Sequence, residues 1–254
     1  MKVALCISGL TRLIDYSYPY LKKFIIDPLQ PDIFYHGYSD NKKGFTKEHI
    51  VDLYKPKDYL IREWKEDIQE EIWEEYGTRE LGVTELATKP INILSMHYNI
   101  YKCNELKKQY ENDHKFTYDI VIRGRSDIYH CRPITDEELL TAQLPMTVLT
   151  ATAWDFRGIT GYGVSDHFGF GSSHAMDLYS NLFNRLAEYN LEHKFLFHPE
   201  SVMGYNLHNE NVNRVGVHVP HYFLSLPDFV DNPFQDFSNS YIEGFIGNPK
   251  KERI

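Results

Sequence analysis

The chain has 254 residues and 29.9 kDa, 42% of them hydrophobic, enough to bury a sizeable core as one domain or two joined lobes. Its formal net charge of −9 argues against a general nucleic-acid binder, which needs clustered Lys and Arg on a basic face. Three scattered cysteines, Cys6, Cys103 and Cys131, form no CxxC or Cys/His pattern, which disfavours a zinc module or a disulfide framework and fits a reducing compartment.

The opening run VALCIS, residues 3–8, reads as a central strand that ends at Gly9, Thr11 and Arg12 and leads into a helix through Tyr20 and Lys23. That run is too short for a signal-peptide core or a membrane span, so a cytoplasmic protein without a membrane span is expected. Pro28 and Pro31 announce a second strand over residues 32–38. Trp64, Ile68, Ile72 and Tyr76, spaced by four among acids, predict an amphipathic helix over residues 63–76. A longer helix follows over residues 91–110, carrying Ile91, Leu94, Tyr98, Tyr101 and Leu106.

The most informative stretch is YDIVIRGRSDIYH, residues 118–130. An apolar strand at 120–122 runs directly into Arg123, Arg125 and Asp127. Ligand-binding groups in α/β proteins cluster where parallel strands end, and a carboxylate between guanidinium groups suits a metal and a phosphate. Arg123 and Arg125 alternate in strand register and so share a face, able to grip one anion or to pair with acids such as Asp119 or Asp136.

Further strands are expected over residues 147–154, around 167–170 and over 215–223. Helices are expected from a Ser172 or Ser173 cap through Met176, Leu178, Leu182 and Leu186, and over residues 199–208. Strands alternating with helices imply an α/β fold with a mostly parallel sheet flanked by helices. Parallel topology then brings Arg12, Asp40, Arg125 and Asp127 to one cleft, with Asp127 the candidate metal ligand.

In GVSDHFGFGSS, Asp166 and His167 lie among glycines that leave backbone accessible, with Trp154 and Phe168 as aromatic faces for a sugar. Glu200 follows Pro199 at a helix start, where a carboxylate favours the helix dipole. Asp166 and Glu200 are carboxylates able to serve as a general base. His198, His208, His218 and His221 show no HxxxH spacing of metal ligands. The sequence has no P-loop, no GxGxxG after the first strand and no GxSxG elbow, which disfavours Walker ATPases, dinucleotide dehydrogenases and serine hydrolases.

The succession VALCISGLTR, PDIFYHGYSD, a Tyr-rich helix, YDIVIRGRSDIY and SDHFGFGSSHAMDLY resembles the small GT-A-type glycosyltransferases of bacterial surface-polysaccharide clusters and large DNA viruses. It covers residues 1 to about 210. The resemblance implies a GT-A-like single domain with a nucleotide-binding half over about 1–130 and an acceptor-side half over about 131–254. It implies transfer of a sugar from a UDP- or GDP-linked donor to a glycan or related acceptor in polysaccharide biosynthesis, assisted by Mn²⁺ or Mg²⁺. Ser8, Gly9 and Arg12 would then meet base or phosphate, and Asp40 base or ribose. Arg123, Arg125, Asp127 and His167 complete the expected substrate contacts, Asp166 or Glu200 would take the proton from the acceptor's attacking hydroxyl, and His221 would supply a late metal ligand. Arg125 stands where the first Asp of the usual Asp-x-Asp metal motif would be, and its guanidinium can take over part of the cation's electrostatic work. Two other classes fit the same residues, a non-catalytic nucleotide-sugar or glycan binder and a nucleotidyltransferase.

Overall fold

A computed structural model describes residues 1–65, 67–84, 89–151, 161–217 and 221–223. With the exception of Phe223, these fall within one compact unit, Met1–Tyr222. Its centre is a seven-stranded sheet in the order β3-β2-β1-β4-β7-β6-β8. The strands are β1 Val3–Leu10, β2 Asp32–Ser39, β3 Asp58–Glu63, β4 Ile120–Gly124, β6 Thr147–Ala151, β7 Gly169–Gly171 and β8 Asn213–Val217. Two short strands, β5 Ile128–His130 and β9 His221–Phe223, lie outside it. Within the seven-stranded sheet every pairing is parallel except those of β7 with β4 and β6. The expected mostly parallel α/β sheet flanked by helices is therefore observed.

The pleat divides the core in two. Along β1, Ala4 and Cys6 join one buried cluster and Val3, Leu5 and Ile7 the other, as a period of two requires. The first cluster is covered by α3 Asp67–Tyr76, α4 Pro90–His114, α6 Ser173–Ser180 and α7 Pro199–Asn209. The second is covered by α1 Ile14–Leu21, α2 Lys47–Tyr54 and α5 Asp136–Ala142. The near-continuous apolar character of β1 and β4 follows from burial on both faces.

The structure refines several sequence boundaries. The strand expected at 120–122 extends through Arg123 to Gly124 because it pairs with β1 as far as Ile7. The helix expected from residue 63 begins at Asp67, since residues 58–63 form the edge strand β3 against β2. The strand expected over 215–223 is divided into β8 and β9. Ser172 is the cap of α6, its hydroxyl accepting from the Ala175 amide at 3.4 Å.

One topological feature positions the site. The chain leaves β1 toward β2 and β3 on one side and returns to β4 on the other, so the order reverses between β1 and β4. Open α/β sheets bind ligands in the crevice that this reversal leaves at the strands' carboxyl ends. Because β7 runs antiparallel to β4, with Gly169 opposite Arg123, the segment entering β7 arrives at that same edge.

Candidate functional site

A cleft of about 370 Å³ opens at this edge. Ser8, Gly9 and Arg12 line it from β1 and its turn, Arg123, Arg125 and Asp127 from β4, and Asp166 and Pro199 from the second half of the chain. Trp64 and the first turns of α4 close the remaining side.

The two strand-end turns are laced together. The Thr11 amide donates to the Tyr38 carbonyl at 2.9 Å, and the Thr11 hydroxyl meets the buried Tyr35 hydroxyl at 2.8 Å. Burial pushes the Tyr35 phenol up to about 12, which keeps it protonated for this contact. Ser126 donates to the Leu10 carbonyl at 3.4 Å, while Ser17 donates to the Ser126 carbonyl. Gly9 has φ +115°, a conformation that L side chains avoid. Its partner across the pair, Gly37, packs so closely that a Cβ there would be driven into the Gly9 carbonyl oxygen.

Asp127 is the electrostatic anchor. Arg125 grips it in a fork, Nε to Oδ1 and Nη2 to Oδ2, both 2.8 Å, and Arg12 Nη2 stands 3.3 Å from Oδ2. Burial alone would raise the Asp127 carboxyl, but Arg125 and then Arg12 outweigh it and hold the group below the usual carboxylate range. The same fork keeps Arg125 charged against its own desolvation. Arg123 is 2% exposed; its Nη1 donates to the His167 carbonyl, and its Nε has no hydrogen-bond partner. Burial lowers its pKa. The buried Ser8 hydroxyl also lacks a partner. Donors left unsatisfied beside a cavity suit an anionic ligand that would accept from them.

At another corner, Asp166 is almost fully buried, with His167 Nε2 2.9 Å from its Oδ1. Burial opposes its ionisation, yet His167, Arg123 and Arg125 hold its carboxyl well below the ordinary range. Asp166, His167 and Glu200 offer ligand atoms within 4.8 Å of one another. Glu200 sits in the first turn of α7 behind Pro199, as its dipole preference predicts.

Among the sequence-expected residues, Ser8, Gly9, Arg12, Arg123, Arg125, Asp127 and Asp166 come together in the cleft, with His167 and Glu200 beside Asp166. Asp40 does not line it. That residue follows the end of β2, one strand farther from the reversal, where its amide bonds the Phe45 carbonyl and its carboxylate faces Lys43 at 3.4 Å. Phe168 is fully buried in the core and offers no face to a sugar, which corrects the stacking role expected for it. Trp154 and the His221 side chain lie outside the described residues.

The aromatic ring that does line the cleft is Trp64, set just after β3 by its amide bond to the Ser39 carbonyl at 2.9 Å and packed edge-on to Tyr38. Its four-residue spacing with Ile68 makes it read as a core position of the following helix. Asn92, Ser95 and Asn99 at the start of α4 are further cleft residues that periodicity alone does not separate from the rest of a long helix.

As to the cations that the resemblance implies, Asp127 has both oxygens engaged by guanidinium groups and fits that use poorly, whereas Asp166, His167 and Glu200 present a chemically suitable donor set. Among the described residues no helix is long and apolar enough to cross a membrane.

No family model matches this sequence, and no curated protein matches it. Among solved structures, the chain is similar to mouse xyloside xylosyltransferase 1 in its apo form, at 11% identity and a TM-score of 0.46 over 85% of this chain and 84% of that one.

Proposed function

We propose that this protein transfers a sugar from a nucleotide-diphosphate donor to a glycan or related acceptor. The observation that carries the reading is the convergence of Arg12, Arg123 and Arg125 with two carboxylates, Asp127 and Asp166, at the point where the strand order reverses. Three guanidinium groups against two ionised acids, Asp127 and Asp166, leave a net positive charge at the cavity, which a diphosphate would neutralise. Ser8, with its unpartnered hydroxyl, and Gly9, which allows close backbone approach, extend that surface for the nucleotide. Trp64 and the Asn92 amide supply a flat face and hydrogen-bonding groups for base or sugar.

In the reaction, the bond from the anomeric carbon to the diphosphate oxygen breaks, and one to the acceptor oxygen forms as the acceptor's proton leaves. Charge develops on the departing diphosphate, where prearranged guanidinium groups act most strongly because they need no reorganisation. In this reading Asp127 keeps Arg12 and Arg125 in place and is a positioning residue. Asp166 and Glu200 stand at the corner where such a reaction uses a carboxylate either to take the proton or to hold a cation.

Calorimetric titration with UDP- and GDP-sugars in the presence of Mn²⁺, followed by a donor-hydrolysis assay, tests the reading. One donor class should bind and release nucleoside diphosphate, and Arg125→Ala should weaken that binding by about tenfold or more. Absence of binding by either class, or full affinity in Arg125→Ala, removes the reading. Release of pyrophosphate would identify a nucleotidyltransferase instead.

A further inference from the structure

We infer that Asp166, His167 and Glu200 form a divalent-cation site at the corner of the cleft, separate from the strand-end carboxylate Asp127. The inference rests on the proposed transfer only for what the cation does there. Whether it binds is an independent matter.

Geometry carries the argument. A metal with bonds of about 2.1 Å holds adjacent ligand atoms about 3 Å apart in octahedral geometry. Asp166 Oδ1 and His167 Nε2 are already 2.9 Å apart, and a Glu200 oxygen lies within 4.8 Å of both. Glu200, with side-chain exposure of 23%, forms the more open side of the trio.

A second observation points to the same ligand. Asp166 is 2% exposed, and its Oδ1 has no hydrogen-bond partner despite the nearby imidazole. A buried carboxylate oxygen without a donor is costly. His167 Nε2 stands 2.9 Å from that oxygen, so an ion held between the nitrogen and the oxygen would serve both.

The surroundings hold the donors from behind, as outer partners of metal ligands do. Arg123 donates to the His167 carbonyl, the His167 amide donates to the Ser165 hydroxyl at 3.3 Å, and His198 Nε2 stands 3.8 Å from Glu200 Oε2. One imidazole with two carboxylates favours a first-row ion such as Mn²⁺ over Mg²⁺. Its two charges cancel those of Asp166 and Glu200, so the neighbouring arginines retain their excess for a diphosphate. When bound, the ion would supply Lewis-acid stabilisation of the departing oxygen.

The test is a titration of the full chain with Mn²⁺, followed by electron paramagnetic resonance of the free ion, with no nucleotide present and then with UDP or GDP. The expected result is one bound Mn²⁺ per chain and weaker competition by Mg²⁺. Asp166→Asn and His167→Gln should each lower affinity at least about tenfold. Asp127→Asn should change it less than about twofold, because it is not a ligand. Mn²⁺ should also raise the melting temperature of the wild type but not of His167→Gln, whose partly exposed side chain makes misfolding a poor explanation. No bound Mn²⁺ at millimolar concentration in either arm, or affinity lost in Asp127→Asn and kept in Asp166→Asn, overturns the site. Triad-dependent Mn²⁺ binding without affinity for UDP, GDP or their sugars leaves the site standing and removes the transfer reading; nucleotide-sugar binding without triad-dependent Mn²⁺ does the reverse.

Discussion

The fork between Arg125 and Asp127 is buried on both sides, with side-chain exposures of 18% and 8%, so breaking it from one side leaves a charge without its partner. Asp127→Ala should therefore cost about 3–5 kcal/mol in urea unfolding as well as donor affinity. The Asp127 carboxyl is depressed in the folded state relative to an unfolded value near 3.9. Its contribution is then complete above about pH 4 and is lost as pH falls through the lower folded pKa, so Asp127→Ala should shrink the acid limb, leaving the share of Asp166. His36 and His97 behave differently: burial pushes both imidazoles down to about 4 from 6.5. Between those values the unfolded chain binds protons that the folded one does not, so stability rises with pH over that window. His97→Leu should roughly halve the slope measured by denaturation at successive pH values. The Arg-x-Asp spacing at a strand end is legible in sequence because two like-facing residues must meet whatever the strand carries to its edge. A neutral buried histidine leaves no such trace, because its role depends on neighbours distant in the chain.

At the level of elements, α4 carries much of the cleft, and a buried polar knot fixes where it lies. Lys107, fully buried, donates to Glu111 at 3.0 Å, Ser173 at 2.7 Å and Asp177 at 2.8 Å, while Glu111 accepts from the Tyr118 amide and the Ser173 hydroxyl, each at 2.8 Å. This joins α4 to the approach to β4 and to the start of α6. Lys107→Met should destabilise the protein by about 3 kcal/mol or more in chemical unfolding, since two acids lose their shared cation. Gly37→Ala should weaken donor binding without removing any expected contact residue, by displacing the Gly9 carbonyl across the β1–β2 pair; full affinity in that variant would contradict the packing described. Long apolar strands and the periodic α4 were readable because burial on a defined face imposes a repeat. Edge strand β3 was not: Tyr59, Leu60, Arg62 and Glu63 face solvent, so its composition carries no alternation, and the pattern of the next helix extends back over its end. The reversed direction of β7 was likewise hidden, since three residues of Gly-Phe-Gly fit either orientation.

Across the molecule, the cleft's walls come from segments that are remote in the chain, and the strand reversal between β1 and β4 brings them together. The sequence order of strands and helices was enough to expect the sheet and its ligand-binding edge; which acid meets which base there required the three-dimensional pairing. That pairing has a consequence for how the protein is made. Lys2 and Asp119, bonded beside the start of the β1–β4 ladder, are 117 positions apart. At a translation speed of about 5–20 residues per second, one edge of the first strand waits roughly 6–23 seconds on the ribosome for its neighbour. During that interval its unpaired amides and carbonyls form the kind of exposed template that recruits other strands. Occupancy by a chaperone at this stage, lost once residue 124 has emerged, is the expected signature in ribosome-bound intermediates.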